Sequence, residues 1–232
     1  VEDDLRAGRR EEGLMHGIID RNAFIRANTS VMAPPLVPEI SLHLAHEAVP
    51  IWQKTEEQLG EIGLPPPFWA FAWAGGQALA RYILDHPESV RGKSVLDLAS
   101  GSGLVGIAAM LAGAASALAA DIDRFAVAAI AMNAALNGVA IDTTDEDLLR
   151  HAAAGVDTIL VGDLFYEQLL AARAHAWLEA AHARGAAVFI GDPGRAYLPR
   201  HALVKLAEYH VPVTRELEDA EIKRTAVWTL RA

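Results

Sequence analysis

The chain contains no cysteine, which excludes disulfide bonds and thiolate-bound metals. Basic residues are in deficit: 20 Lys and Arg stand against 30 Asp and Glu, a formal net charge of −10 at pH 7. Nucleic-acid binding needs a basic face for the phosphates, so that class is disfavoured; a partner presenting lysines or arginines suits the charge better. Long apolar runs are missing too. The longest stretches are interrupted by Gly, Asp or Arg, so no membrane span is expected. The opening "VEDDLRAGRREEGLMHG" is charged and lacks the apolar segment of a secretory signal, and a soluble, cytoplasmic protein is the expectation. "HLAHE", with His43, His46 and Glu47, is neither H-E-x-x-H nor its reverse, so no metal is expected. His175 and His182 lie on a polar helix face and are expected to be solvated. There is no G-x-S-x-G elbow and no P-loop lysine.

What is present suffices for a large core: 52% of the 232 residues are hydrophobic and 22% charged, a balance that argues against disorder. Apolar spacing predicts an amphipathic helix between Leu14 and Ala27, broken by "APPLVPE"; Ile40, Leu42 and Leu44 alternate like a strand, and a short helix is expected over 51–59. In "GLPPPFWAFAWAGG" the residues Trp69, Phe71 and Trp73 alternate as in a half-buried edge strand. From residue 75 the rhythm becomes regular. Helix 77–84, strand 94–99, a glycine loop, a helix to Leu111, strand 116–120, helix 124–136 and a short strand near 138–142 are predicted. Strand 157–162, helix 167–183, strand 186–191, helix 199–209 and strands near 211–217 and 222–230 complete the chain. Such alternation means a parallel sheet covered on both faces, and two final strands without an intervening helix imply an antiparallel hairpin at one edge.

The stretch "SVLDLASGSGLVGIA", Ser94 to Ala108, carries the first chemistry. Gly101, Gly103 and Gly106 form G-x-G-x-x-G between a predicted strand and helix, where backbone N–H groups approach a ligand closely. Asp121, at the end of the next predicted strand, stands where an acid takes a ribose hydroxyl pair. It serves a nicotinamide dinucleotide and an adenosyl ribose equally well. Three features favour the latter. Asp97 adds negative charge beside the loop, unwelcome near a pyrophosphate and useful near the amino group and sulfonium of S-adenosylmethionine. The loop also follows a long extension able to cover a small cofactor, and the chain ends in a hairpin rather than a second βαβ half. Further on, "ILVGDLFYEQLL" places Asp163 and Tyr166 at the carboxyl end of a parallel strand, where open α/β sheets put their chemistry. The plain alternative is that Asp163 caps the next helix. "GDPGR", Gly191 to Arg195, suits a turn regardless of chemistry. Its place at the same edge makes Asp192 and Arg195 candidates for the substrate rim or for anchoring the loop, with Trp69 also on the substrate side.

"VLDLASGSG" resembles motif I of the class I S-adenosylmethionine-dependent methyltransferases, with Ala99 where the first glycine stands. The D-x-x-Y of "DLFY" resembles family 16 of these enzymes, whereas base-, glutamine- and ribosomal L11-modifying relatives show a proline-bearing tetrad. "FWAFAWAGGQALARYILDHPESVRGKSVLDLASGSG", "DIDRFAVAAIAMNAALN", "GDLFYE", "GDPGR" and "TAVW", with "FIRANTSV" and "LVPEI" upstream, are similar to the electron-transfer-flavoprotein β-subunit lysine methyltransferase family. The resemblance implies a Rossmann-like α/β fold with a mostly parallel seven-stranded sheet of order 3-2-1-4-5-7-6, helices on both faces and a C-terminal antiparallel hairpin. It divides the chain into an N-terminal covering segment, 1–73, and a methyltransferase domain, 74–232. It implies S-adenosylmethionine as cofactor, S-adenosylhomocysteine as product and a lysine of the flavoprotein β subunit as acceptor, with neither nucleic acid nor membrane as partner. Gly101, Ser102 and Gly103 then wrap the methionine part beside Asp97 and Ala99, Asp121 takes the ribose, and Ile122 lies against the adenine. Glu146 or Asp147 accepts from the adenine amino group, Trp73 and Gly76 line the other side, and Asp163 and Tyr166 are catalytic. A small-molecule or L11-type N-methyltransferase on the same fold stays open, as do an NAD-dependent oxidoreductase and a non-catalytic cofactor-binding module.

Overall fold

The computed structural model describes residues 20–46, 66–152, 155–213 and 221–231. The helix expected over 51–59, and the start of the one expected from Leu14, lie outside them. In chain order the elements are α1 (Arg21–Asn28), β1 (Ser30–Met32), β2 (Leu42–Leu44), a 3₁₀ turn (Phe68–Ala70), α2 (Ala74–Asp85), β3 (Ser94–Leu98), α3 (Leu104–Leu111), β4 (Ser116–Ala120) and α4 (Arg124–Leu136). Then come β5 (Asp142–Thr144), β6 (Thr158–Gly162), α5 (Gln168–His182), β7 (Ala187–Asp192), β8 (Leu203–Pro212) and β9 (Ile222–Leu230).

Short apolar runs make the central strands, as expected for a sheet buried on both faces. β3 is buried from Val95 onward, with Asp97 its one charged residue. The seven-stranded sheet runs β5-β4-β3-β6-β7-β9-β8, which is the order 3-2-1-4-5-7-6 counted from its first strand. Pairing is parallel from β5 to β7 and antiparallel at β7–β9 and β9–β8. Alternate residues of each strand feed opposite layers. Leu96, Leu98, Ile159 and Val161 pack with Ala174, Trp177 and Leu178 of α5. Val95 and Leu160 pack with Ala78, Leu79 and Ile83 of α2 and Val105 and Ala109 of α3. Asp123 starts the alanine-rich α4 by accepting from the Phe125 N–H, as good helix formers behind a side-chain cap should. β1 and β2 form a separate antiparallel pair, and Ile25 of α1 packs with Trp69, Phe71 and Phe125.

Three expectations need correction. Residues 199–209 are not a helix: a short 3₁₀ turn (Arg200–Ala202) leads directly into β8. Leu203, Ala207 and Val211 are four apart and face inward, a spacing that suits a helix and a strand alike, and a bulge between Lys205 and Ala207 disturbs the alternation that would have told them apart. The short strand expected near 138–142 is β5, at Asp142–Thr144. Trp69, Phe71 and Trp73 do not alternate along an edge strand; Trp69 lies in the 3₁₀ turn and Trp73 is the N-cap of α2.

Candidate active site

The carboxyl ends of β3, β4 and β6, with Arg195 from the turn after β7, open onto a cavity of about 490 Å³, within the ~300–1,000 Å³ common for small-molecule sites. At its floor the loop after β3 turns through left-handed backbone at Ala99, Gly101 and Gly103, with φ of 53°, 56° and 83°. Asp97, 1% exposed, holds this loop: its Oδ2 accepts from Ser100 Oγ at 2.6 Å and from the Gly106 N–H at 2.9 Å. A Cβ on Gly106 would lie 3.2 Å from that oxygen, so the third glycine allows α3 to pack against the carboxylate. Burial pushes the Asp97 pKa up to about 6 against these hydrogen bonds.

Asp121 directly follows β4 and accepts from the N–H groups of Gly101 at 2.8 Å and Asp123 at 3.0 Å. The residue assigned to the ribose thus also braces the glycine loop, and burial raises its pKa. Ala99, Gly101, Ser102 and the 72% exposed Ile122 line the cavity with Asp97 and Asp121. Gly103 does not; it caps α3 behind the loop, against Ile130. Glu146 and Asp147 both line the far end, but the Asp147 carboxylate is occupied. It accepts from Arg173 Nη2 at 2.8 Å, Arg150 Nε at 3.1 Å and the Leu149 N–H at 3.2 Å, and Arg173 above all holds its pKa below the ordinary value.

Asp163 does not cap the helix that follows it; Glu167 does, accepting from the Leu169 and Leu170 N–H groups. It caps another helix instead. Its Oδ2 accepts from the N–H of Gly76, in the first turn of α2, at 2.9 Å. Glycines make this approach possible: a Cβ on Gly75 would collide with the Gly191 carbonyl and Asp163, and one on Gly162 would lie 3.1 Å from Gly76 Cα. Arg195 donates to Asp163 Oδ1 from Nη2 at 2.8 Å and Nε at 3.2 Å. Burial outweighs this pairing and lifts the Asp163 pKa to about 6. Tyr166, 48% exposed, reaches the rim, its ring 5.8 Å from that of Phe68. Trp69 and Trp73 form an aromatic wall, with Trp69 stacked on Phe125. Asp192 is placed behind the site, not on its rim. It is 1% exposed, and its Oδ1 accepts from the Gly194 and Arg195 N–H groups at 2.6 and 2.7 Å.

Two side chains that matter here were not anticipated. Asn133, fully buried in α4, donates from Nδ2 to the Ser102 carbonyl at 2.8 Å and accepts at Oδ1 from the His43 N–H at 2.7 Å. One turn on, Asn137 bonds both the N–H and the carbonyl of Ser41. The available signal was Asn133 in the interior of an alanine-rich helix that Asn137 closes as its C-cap, since asparagine favours caps over helix interiors.

The family profile for ribosomal protein L11 methyltransferase (PrmA) matches residues 77–165, the stretch that carries the glycine loop. Over 213 residues the chain is 40% identical to the electron transfer flavoprotein beta subunit lysine methyltransferase of Rattus norvegicus, covering 89% of this chain and 82% of that one. The Homo sapiens protein of that name is 38% identical over 213 residues, with 89% and 80% covered. Among solved structures, magnesium protoporphyrin IX methyltransferase from Synechocystis PCC 6803 superposes with a TM-score of 0.50 at 17% identity, over 68% of this chain and 80% of that one. That likeness is one of fold.

Proposed function

The chain belongs to the electron transfer flavoprotein beta subunit lysine methyltransferase family, and from that premise we propose that it transfers a methyl group from S-adenosylmethionine to lysines of the flavoprotein β subunit. The observation that carries this reading is the convergence on one cavity of the glycine loop, Asp121 and the Asp163–Tyr166 pair. The lining fits the cofactor: carboxylates at Asp97 and Asp121 for a cationic ligand with a ribose, and no side chain at Gly101 or Gly76 to stand in its way.

Asp121 holds the ribose hydroxyls, and Gly101 and Ser102 enclose the methionine part, with Trp73 and Gly76 opposite. Ile122 and Leu148 flank the adenine. Glu146 accepts from its amino group, because Asp147 is committed to two arginines. When bound, the cofactor supplies a methyl on a sulfonium: the lysine nitrogen lone pair forms the new N–C bond as the S–C electron pair returns to sulfur. Only the neutral amine has that lone pair. Phe68, Trp69, Phe71 and Trp73 line the cavity and exclude water, and desolvation favours the uncharged amine. Asp163 accepts a hydrogen bond from the amine and aims it, while the face of Tyr166 steadies the cationic product. Holding nitrogen and methyl in near-attack geometry supplies most of the acceleration. The net charge of −10 favours encounter with a lysine-bearing surface, an attraction that salt screens.

The test is incubation of the purified flavoprotein β subunit with methyl-labelled cofactor, followed by peptide mapping at rising ionic strength. Label on β-subunit lysines, declining with salt, is the expected result. Label confined to a free small amine would hand the function to a small-molecule N-methyltransferase.

A further inference from the structure

Asp163 carries its own cation. Beyond the two hydrogen bonds from Arg195, the guanidinium carbon lies 5.6 Å from the centre of the Trp73 ring, and the Arg195 and Asp163 side chains are only 20% and 10% exposed. The placement is built from the backbone upward. Asp192 ties down the Gly194 and Arg195 N–H groups, and Gly194 turns at φ +96°, which delivers the arginine side chain into the cavity. On the other side, Trp73 Nε1 donates to the Phe68 carbonyl at 2.9 Å and fixes the ring. A cation held from both sides is a permanent charge of the site.

That charge answers a conflict in the proposed function, on which this inference rests. A lone carboxylate beside a lysine favours the ammonium, which has no lone pair; an opposite charge within about 4–6 Å moves a pKa by about 1–3 units toward the charged form. We propose that Arg195 is a positioning residue that neutralises Asp163, so that the carboxylate orients the substrate amine without holding it as ammonium. The other groups facing the pair do not replace it. α2 brings the Gly76 N–H and no acidic side chain in its first turn, β7 brings Asp192, and the turn after β6 brings Tyr166. Asp97, Asp121, Asp123 and Glu146 across the cavity are further acids, and Arg173 is already paired with Asp147.

The test is the pH dependence of single-turnover methyl transfer to the β subunit for the wild type, Arg195→Gln, Arg195→Lys and the double variant Asp163→Asn/Arg195→Gln. Arg195→Gln leaves a proton shared between carboxylate and amine, so its midpoint is expected to rise by about 1–3 pH units. The rate at neutral pH then falls at least about tenfold and recovers at alkaline pH. Arg195→Lys keeps the wild-type midpoint. The double variant restores the charge balance and so returns to that midpoint, on a lower plateau. A uniformly lower rate in Arg195→Gln with an unmoved midpoint, or an equal rise in Arg195→Lys, would overturn the role. Should Arg195→Gln fail to melt cooperatively, an upward shift in the double variant overturns it and a wild-type midpoint supports it. A wild type that labels no lysine refutes the proposed function and this role together; one that labels lysine while Arg195→Gln keeps its midpoint refutes only this role.

Discussion

Replacing Asp97 by asparagine separates what the folded chain tolerates from what its ligand requires. Asp97 is 1% exposed, and burial lifts its pKa from the ordinary 3.8 to about 6. At about 1.4 kcal/mol per pH unit, the 2.2-unit difference puts a penalty of about 3 kcal/mol on its charged form at pH 8. The sign follows from a raised folded-state pKa: the stabilising contribution is complete below 3.8 and is lost as pH rises through about 6. The replacement amide cannot titrate. It also keeps an acceptor for Ser100 Oγ and the Gly106 N–H, so Asp97→Asn is expected to be at least as stable as the wild type at pH 8. Linkage makes the comparison sharper: between pH 8 and pH 5 the wild type gains about 1.4 kcal/mol relative to the variant. Affinity for S-adenosylhomocysteine, whose amino group is cationic, is expected to fall roughly tenfold, in line with about 1.4 kcal/mol for one lost charge contact. Urea denaturation at the two pH values gives the stability terms, and calorimetric titration gives the affinity. A stability difference that does not change with pH would refute the reasoning, as would a variant several kcal/mol less stable at pH 8.

Two further changes probe the geometry around that loop and at the helix α2 terminus. Gly75→Ala places a Cβ against the Gly191 carbonyl and 2.5 Å from Asp163 Oδ2; stability should drop by about 1–3 kcal/mol, and turnover on the order of 100-fold as Asp163 shifts, so wild-type turnover in the folded variant would contradict the close approach. Ala99→Gly removes a methyl-bearing residue from φ 53°. The relief of about 1–2 kcal/mol, set against the entropy cost of glycine at about 0.5–1 kcal/mol, should raise the urea midpoint at unchanged slope, and a lowered midpoint would count against strain at this position.

The sheet could be read from the chain because its central strands are short, apolar and separated by helices whose alanine-rich faces leave little ambiguity. Strand β4 and helix α4 fall where the pattern placed them, at Ser116–Ala120 and Arg124–Leu136. β8 could not be read because its inward residues repeat at an interval common to both periodicities and its bulge breaks the rest. Motif spacing brought Gly101, Asp97 and Asp121 to the cavity because it reports on backbone close to its own position, whereas Gly103 caps α3 behind the loop. What Asp163 does was not legible, since its partners, Gly76 and Arg195, lie 87 and 32 residues away. Nor could spacing show that Asp147 is consumed by Arg150 and Arg173, or that Asp192 turns inward. Such facts depend on which side chains meet across the sheet edge.

Asn133 gives the molecule one further property. Its amide is shared between the Ser102 carbonyl in the glycine loop and the His43 N–H in the small hairpin, so the two regions draw on a single hydrogen-bonding group. One rotamer of the buried side chain serves both, donating from Nδ2 to Ser102 while it presents Oδ1 to His43. By reciprocity, a hairpin that lets go of Asn133 weakens the ligand by the amount the ligand had steadied the hairpin. Slower exchange of the His43 amide proton on addition of S-adenosylhomocysteine is the outcome expected from this shared amide, in a strand that does not line the cavity.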